Sequence, residues 1–329
     1  MRKPVFIAAA LLVLASGAAG GQEKMVLQLK WVTQAQFAGY YVAKDKGFYR
    51  EVGLDVTVKP GGPDIDPSQV IARGDADVIV DWMPSALAAR ENGVPLVNIA
   101  QIFQRSGMML TCRRESGITS PQNLRGRKLG VWFAGNEYPF LAWMDKLGYG
   151  TAGGRDSVTV IRQGFNVNLL VRKQAACIST MTYNEYWMLI EAGIKPKELI
   201  TFKYEDEGVA TLEDGLYALA PAIADAPTSD KLARFVKATL TGWSYAIAHQ
   251  PEAVAIVLAN DATHGRTKDH QTRMMGEVAR LVAGEKIGYL DPAAYQRTVD
   301  ELLAGKSDPV ISKPPEGAWT HAIWEAAQR

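Results

Sequence analysis

Strand-like and helix-like segments alternate along this chain in two successive series, and this alternation limits the possible folds more than any other feature. The first series occupies residues 26–102; the second begins near residue 107 and closes with a strand at 199–204. Segments of these lengths in this order predict an α/β architecture with mostly parallel sheets covered by helices on both faces. After one more strand, at 215–220, the sequence beyond residue 228 predicts a helical C-terminal tail.

Two α/β series in one chain of 329 residues predict two lobes. We expect the chain to cross between them near 104–112 and 206–216. Lobe 1 would then comprise residues 22–105 and 213–329, with the helical tail packed on it, and lobe 2 residues 106–212. Ligands of such sheets bind at the carboxyl ends of the strands, so a binding cleft is expected there.

The N-terminus predicts export. Arg2 and Lys3 precede an apolar run at 5–15 that is too short to span a bilayer, and small residues follow at 16–21. This succession is typical of a secretory signal peptide, which we assign to residues 1–21. No cysteine stands directly after the apolar run, so we expect a soluble exported protein without a lipid anchor.

The net charge excludes one class of partner, and the two cysteines raise the question of a disulfide. Without Arg2 and Lys3 the formal net charge changes from +1 to −1, and no basic block remains, so nucleic acid is not an expected partner. Cys112 and Cys177 would meet an oxidising compartment after export. They either pair or remain two half-buried thiols on strands, and the sequence leaves both arrangements open.

Aromatic residues are concentrated at 31–49, where a strand at 25–30 leads into a helix at 36–46. In that helix Phe37 and Tyr41 share a face at the i, i+4 spacing. A strand end, an aromatic turn and a helix N-terminus together can stack a flat ring and present free backbone N–H groups. Trp31, at the end of the strand, is predicted to face a ligand, whereas core packing is the alternative for Phe37.

Motifs for catalysis and metal binding are missing from the sequence. It contains no Gly-x-Ser-x-Gly, His-Glu-x-x-His or P-loop spacing and no cluster of Cys and His. All four histidines lie at or beyond residue 249, and the acidic run at 205–207 is interpreted as a solvated hinge at a crossing. We therefore predict no catalytic residue, no metal site, no cofactor and no enzyme.

Several short motifs carry a family resemblance. They are Lys-Trp at 30–31, Gln-Phe-Ala-Gly-Tyr-Tyr-Val-Ala at 36–43, Lys-Gly-Phe-Tyr at 46–49, Gly-Leu-Asp-Val at 53–56, Pro-Gly-Gly-Pro at 60–63, Gly-Asp-Ala-Asp-Val at 74–78 and Asn-Leu-Arg-Gly-Arg-Lys-Leu-Gly-Val at 123–131. Together they resemble periplasmic substrate-binding proteins of ABC importers, specifically the branch related to fungal thiamin-pyrimidine synthases, the NMT1/THI5-like family. The resemblance covers about residues 26–250. It implies a two-lobed type II periplasmic-binding-protein fold that closes on a small ligand.

The resemblance also implies binding residues, position by position. Trp31 matches the ring-stacking aromatic, residues 81–85 line the cleft, 135–138 reach the polar end of the ligand, and 182–185 supply an aromatic ring and a carboxylate. The predicted ligand-binding residues are Trp31, Phe37, Tyr41, Asp81, Trp82, Ser85, Gly135, Asn136, Tyr138, Tyr183 and Glu185.

Each of these assignments has a structural alternative. Asp81 would cap the helix that begins near Ser85, and Glu185 would be a solvated residue at a helix N-terminus. The aromatic residues Trp82, Tyr138 and Tyr183 would pack in the core. The methionines Met83, Met108, Met109 and Met181 are interpreted as core.

The first functional hypothesis is a monomeric periplasmic binding protein that delivers a flat nitrogen heterocycle, a thiamin-precursor pyrimidine, to a cognate ABC permease in the inner membrane. The second is the same fold with riboflavin, another pyrimidine or a sulfonate as its ligand. The third is a pyrimidine synthase enzyme, which the late histidines, the missing Cys-rich motif of the fungal enzymes and the export signal all disfavour.

Overall fold

A computed structural model of the protein describes residues 21–133, 135–304 and 310–329. The predicted signal peptide therefore lies outside the described residues, apart from Gly21. Within these residues the strands form two five-stranded sheets, in the orders β2-β1-β3-β10-β4 and β7-β6-β8-β5-β9. The strands are β1 (Glu23–Gln28), β2 (Leu54–Lys59), β3 (Val78–Asp81), β4 (Leu96–Gln101), β5 (Met108–Arg113), β6 (Lys128–Val131), β7 (Thr159–Arg162), β8 (Cys177–Met181), β9 (Leu199–Lys203) and β10 (Gly215–Leu219).

Helices connect the strands and form the C-terminal part of the chain. The α-helices are α1 (Ala38–Asp45), α2 (Phe48–Glu51), α3 (Pro67–Ala72), α4 (Met83–Glu91), α5 (Tyr138–Leu147), α6 (Asn168–Val171), α7 (Glu185–Glu191), α8 (Ala220–Ala224), α9 (Ala226–Ala248), α10 (Gln250–Asn260), α11 (Lys268–Val282), α12 (Pro292–Leu303) and α13 (Ala322–Ala327). Short 3₁₀ helices span Ala35–Phe37, Arg114–Ser116, Pro121–Leu124 and Pro196–Glu198. In the described part of the chain, no helix has both the length and the hydropathy of a membrane span.

Both sheets are mixed but mostly parallel, as predicted, because four of the five strands in each sheet run in the same direction and one is reversed. β1 pairs in parallel with β2 and β3, and β6 with β7 and β8. β10 is antiparallel to β3 and β4, and β5 is antiparallel to β8 and β9. Parallel neighbours need a crossover, usually a helix, whereas β5 and β10 each enter directly from the other sheet. The reversed strands are thus the ones that follow the two crossings.

The crossings themselves lie at residues 102–107, between β4 and β5, and at 204–214, between β9 and β10. They overlap the predicted crossings at 104–112 and 206–216. The first sheet is built from strands within 23–101 and from β10, and the second from strands within 108–203. The lobe boundaries predicted from the sequence stay a prediction.

The helical tail packs on the helices of the first sheet. Helix α9 lies directly against α1, and the closeness depends on two glycines. A Cβ at Gly242 would lie 2.3 Å from the backbone oxygen of Gly39, and one at Gly39 would lie 2.2 Å from the Trp243 ring. Only residues without a Cβ permit this crossing, so the glycines set how closely the tail packs.

Cys112 and Cys177 form a disulfide in the second sheet. The two residues are register partners on the antiparallel strands β5 and β8, and both are fully buried. The strand register decides between the two arrangements that the sequence left open, because it brings residues 65 positions apart face to face.

Candidate functional site

A cavity of about 590 Å³ lies between the two sheets. Its walls come from the segments that follow the carboxyl ends of β1, β2 and β3 on one side and of β6, β7 and β8 on the other. This is the position expected for a ligand site in α/β sheets. The lining contributed by described residues includes the aromatic side chains Trp31, Trp82, Trp132, Tyr138, Phe165 and Tyr183, the acidic side chains Asp64, Asp66, Asp81, Glu137 and Glu185, and Lys30.

The cavity brings together nine of the eleven side chains predicted to bind ligand. These are Trp31, Asp81, Trp82, Ser85, Gly135, Asn136, Tyr138, Tyr183 and Glu185. Their roles toward a ligand stay a prediction. Met181, interpreted as core from the sequence, is buried and also reaches the cavity wall.

Phe37 and Tyr41 lie outside the cavity, which corrects their inclusion in the site. Phe37 is 0% exposed and belongs to the 3₁₀ helix Ala35–Phe37, which packs against α10 and α11. The Tyr41 hydroxyl shares a 2.8 Å hydrogen bond with the Thr33 hydroxyl. The face on which these residues were predicted to lie points into the core, because the C-terminal helices cover it.

Trp31 lies in the loop after β1 and meets the ring of Phe165 across the cavity. The ring centroids are 4.5 Å apart and the planes are tilted by 59°. Phe165 follows β7 and is 48% exposed. Sequence reasoning missed this residue; the available signal was an isolated aromatic in a polar segment directly after a strand.

A buried carboxylate on the second crossing orients Trp82. The Trp82 Nε1–H donates to Asp214 Oδ1 at 2.7 Å, and Gln36 Nε2 donates to Asp214 Oδ2 at 2.8 Å. Lys30 Nζ lies 3.9 Å from the centroid of the Trp82 ring. Sequence reasoning identified neither Asp214 nor Lys30, because the crossing brings Asp214 to a ring that is 132 residues away in the chain.

Asp81 is held at the end of β3 and does not cap helix α4. Its Oδ1 accepts the backbone N–H of Trp82 at 2.8 Å, whereas the N-cap of α4 is Trp82, without a side-chain hydrogen bond. Burial raises the pKa of Asp81 to about 6, and the ammonium of Lys30 partly opposes this shift. The capping alternative is therefore wrong.

Glu185 begins helix α7 and is only 5% exposed, so the alternative of a solvated residue is wrong. Its Oε2 accepts the backbone N–H of Met181 at 3.0 Å, and its Oε1 accepts Asn184 Nδ2 at 2.7 Å. Burial raises the pKa of Glu185 to about 7, and these hydrogen bonds oppose the rise. The Glu185 backbone N–H also hydrogen-bonds to this carboxylate, which offers about four acceptor positions, so about one remains for a ligand.

The C-terminal helices reach the same wall of the cavity through Asn184. Asn184 Oδ1 lies 2.9 Å from His270 Nε2, on α11, and His270 Nδ1 lies 3.1 Å from the carboxylate of Glu191. Arg273 donates to the same carboxylate at 2.9 Å. Contacts of the tail thus hold the residue that in turn contacts Glu185.

Residues 135–137 approach the first sheet closely. A Cβ at Gly135 would lie 2.4 Å from Ser85 Oγ, and the φ of +94° at Gly135 also favours glycine. The Gly135 N–H donates to Glu137 Oε2 at 2.8 Å, and Asn136 Nδ2 donates to the Phe133 carbonyl at 2.8 Å. The two sides of the cavity are therefore in contact at this point as well as at Trp31.

No cluster of three or more His, Cys, Asp and Glu side chains suited to a metal ion is found among the described residues. What the cavity presents instead is a set of flat apolar surfaces with a few directional polar groups. Such a lining is suited to binding a planar, polar-edged molecule.

Comparison with known proteins gives a family match and related folds. The family described as "NMT1/THI5 like" matches residues 34–253, about two thirds of the chain. The chain is 25% identical over 241 residues to a formylaminopyrimidine-binding protein of Halalkalibacterium halodurans, with 72% of this chain and 71% of that protein covered. It is 25% identical over 297 residues to the riboflavin-binding protein RibY of Chloroflexus aurantiacus, with 86% and 81% covered.

Among solved structures, the periplasmic aliphatic sulphonate binding protein SsuA of Escherichia coli is similar, with a TM-score of 0.66 at 13% identity. The similarity covers 90% of this chain and 91% of that one. The likeness identifies the architecture as that of the periplasmic binding proteins.

Proposed function

The chain belongs to the NMT1/THI5-like family, and from that membership and the geometry of its cavity we propose that it is a solute-binding protein whose ligand is a thiamin-precursor pyrimidine. The observation that carries the proposal is one cavity that combines aromatic rings from both sides with the buried carboxylate of Glu185. Flat rings stack a heterocycle, and a carboxylate accepts the N–H groups of an amino-substituted edge.

In this proposal the ligand ring stacks on the aromatic surface formed by Trp31 and Phe165, and Glu185 reads its N–H edge. Asp81, Ser85, Asn136 and the other predicted residues that line the cavity complete the pocket. The similarity to a formylaminopyrimidine-binding protein supports a pyrimidine as the ligand.

The remaining parts of the proposal follow from the role. A binding protein of this class acts in the periplasm as an exported, lipid-free monomer and passes its ligand to a cognate ABC permease in the inner membrane. The export signal predicted at residues 1–21 and the binding-protein architecture support this location.

Riboflavin is the alternative ligand, favoured by the similarity to RibY and by a cavity of about 590 Å³, which is large enough for a drug-sized molecule. A sulfonate is disfavoured, because acidic side chains outnumber Lys30 in the described lining. A synthase activity is disfavoured because no histidine lies among the described lining residues.

The test is to identify what the protein carries and then to titrate it. Protein purified under native conditions is denatured, and the released molecule is identified by mass spectrometry. Calorimetric titration then compares a formylaminopyrimidine, riboflavin and an alkanesulfonate. Saturable binding of all or some of these compounds, with the highest affinity for the pyrimidine, is expected. Binding of riboflavin alone would identify riboflavin as the ligand instead of the pyrimidine, and binding of none would contradict a solute-binding role.

A further inference from the structure

Lys30 places an ammonium group in the wall of the cavity, next to the predicted stacking residue Trp31. Its side chain is 15% exposed, and its Nζ lies over the Trp82 ring and 3.9 Å from Asp81 Oδ1. That separation is too long for a hydrogen bond. No hydrogen bond of Lys30 Nζ to any residue that the structure describes is found, although an ammonium has three N–H donors.

The acidic neighbours of Lys30 already have other donors. Asp81 Oδ1 accepts from the Trp82 backbone, and both oxygens of Asp214 accept from side chains, as described above. These carboxylates neutralise the ammonium at a distance, and they oppose the lowering of its pKa that burial causes. Because Asp81 lies beyond hydrogen-bond distance of Nζ, a ligand atom in the cavity can accept from these N–H donors directly.

The charge of the surroundings restricts what that acceptor is. Asp81 and Asp214 flank the single ammonium, and Asp64, Asp66 and Glu137 also belong to the acidic lining. These carboxylates would repel an anionic ligand group, whereas they would not repel a neutral oxygen in this way. Lys30 can donate to a carbonyl oxygen without any change in the charge of the site.

On the basis of the proposed function, we infer that Lys30 is a specificity-determining residue that donates a hydrogen bond to a neutral carbonyl oxygen of the bound heterocycle. The ligand class is then a planar heterocycle that carries a formyl, amide or ring-oxo group. Lys30 reads this acceptor from the side of the first sheet, while Glu185 reads N–H donors from the side of the second.

The experiment is a thermodynamic cycle on the folded, mature protein. Wild type and Lys30→Met are titrated with a formylaminopyrimidine and with an analogue of the same ring in which an alkyl group replaces the carbonyl-bearing arm. Lys30→Met should lower the affinity for the carbonyl ligand about 10- to 100-fold and for the alkyl analogue less than about 2-fold, the scale of one hydrogen bond to a charged group. Lys30→Arg, which keeps the donors, should retain most of the preference.

Lys46→Met is the matched control. Lys46 also places its ammonium near an aromatic ring, that of Tyr245 at 4.9 Å, and pairs with Glu252, but it lies outside the cavity lining. This variant should bind both ligands as wild type does. If Lys30→Met fails to fold because Asp81 loses its countercharge, the double variant Lys30→Met/Asp81→Asn replaces it.

The possible outcomes separate this inference from the proposed function. Equal losses for both ligands, or no loss, would overturn the role of Lys30 and leave the solute-binding role standing. Wild type that binds neither ligand would overturn both. A phosphate ester of the same pyrimidine is the last comparison. If wild type binds this ester more tightly than the carbonyl ligand, and Lys30→Met loses affinity for the ester, the inference that Lys30 donates to a neutral oxygen is overturned.

Discussion

Trp31 and Phe165 lie in the segments that follow β1 and β7, and their ring centroids are 4.5 Å apart, so the two rings contact each other and form one aromatic surface at the cavity. Aromatic stacking of a base contributes about 1–3 kcal/mol when tested by alanine substitution. Stacking on this surface is therefore expected to contribute on that scale, whereas the buried Phe37 contributes only to the core.

We predict that Trp31→Ala weakens binding of the pyrimidine by about 1–3 kcal/mol, because one stacking face is removed. Calorimetric titration measures the change, and Phe165→Ala should give a similar loss. Phe48→Ala is the control, since Phe48 packs against Tyr245 away from the cavity lining. Unchanged affinity in Trp31→Ala would mean that this wall of the cavity does not hold the ring.

Glu185 is predicted to discriminate among ligands by their N–H edge. In Glu185→Gln one acceptor becomes a donor, which opposes a ligand amino group at a cost of about 1–3 kcal/mol. Aminopyrimidines should therefore lose affinity, and ligands with only carbonyl acceptors should lose little. Titration of both ligand types with wild type, Glu185→Gln and the exposed control Glu51→Gln measures the difference; equal losses would contradict edge recognition.

The same residue predicts a pH dependence of binding. Because burial raises the pKa of Glu185 to about 7, the carboxylate form that accepts N–H groups becomes scarce below that pH. Affinity of wild type for an aminopyrimidine should fall between pH 8 and pH 6, and Glu185→Gln should lack that component. Titration at both pH values measures it, and parallel pH profiles of the two proteins would show that Glu185 does not titrate in this range.

At the level of elements, the contact between α1 and α9 packs the C-terminal helices against the helix that follows residues 31–37. The close approach of Gly39 and Gly242 leaves no room for a side chain at either position. Positioning of residues 31–37 therefore depends on a segment that lies more than 200 positions further along the chain.

We predict that Gly242→Ala lowers the free energy of unfolding by about 1–3 kcal/mol, because its Cβ would overlap the backbone of α1. The control is Gly276→Ala in α11, where the nearest atom to an added Cβ is 3.8 Å away. That change should be neutral or stabilising by up to about 1 kcal/mol, the gain in helix propensity. Urea unfolding measures both, and equal effects of the two changes would contradict the tight crossing.

At the level of the whole molecule, Glu213 connects the two crossings between the sheets. Its Oε1 accepts from Ser106 Oγ at 2.5 Å and from the backbone N–H groups of Gly107 and Met108 at 2.9 and 3.1 Å. Burial raises the pKa of Glu213 to about 8, well above its ordinary value of 4.5, although these hydrogen bonds oppose the rise.

A raised pKa in the folded state means that the folded protein binds more protons than the unfolded chain between about pH 4.5 and pH 8. The Glu213 contribution to the free energy of unfolding should therefore fall as the pH rises through this window, by at most about 1.4 kcal/mol per pH unit. In Glu213→Gln this slope should disappear, while the slopes from Glu185 and Asp81 remain. Urea unfolding at pH 5, 6, 7 and 8 measures the difference, and identical slopes in both proteins would contradict it.

The alternation of strands and helices was sufficient to predict two α/β series, two crossings and a helical tail, because these features depend on local periodicity and chain order. That nine of the predicted residues line one cavity was also predictable, since they lie at or after strand ends and the carboxyl ends of such strands converge, while their roles toward a ligand stay a prediction. The reversal of β5 and β10 within the mostly parallel sheets was not predictable, because it depends on where the crossings enter each sheet.

Contacts between residues far apart in the chain could be read only from the tertiary structure. It buried Phe37 and Tyr41 beneath the C-terminal helices, paired Cys112 with Cys177 through the register of β5 and β8, and brought Asp214 to Trp82. It also left Lys30 facing the cavity with its donors free of hydrogen bonds to the described residues. Periodicity along a chain indicates which face of an element is apolar, but it does not indicate which distant element covers that face. The charge and shape of a binding site depend on that distant element.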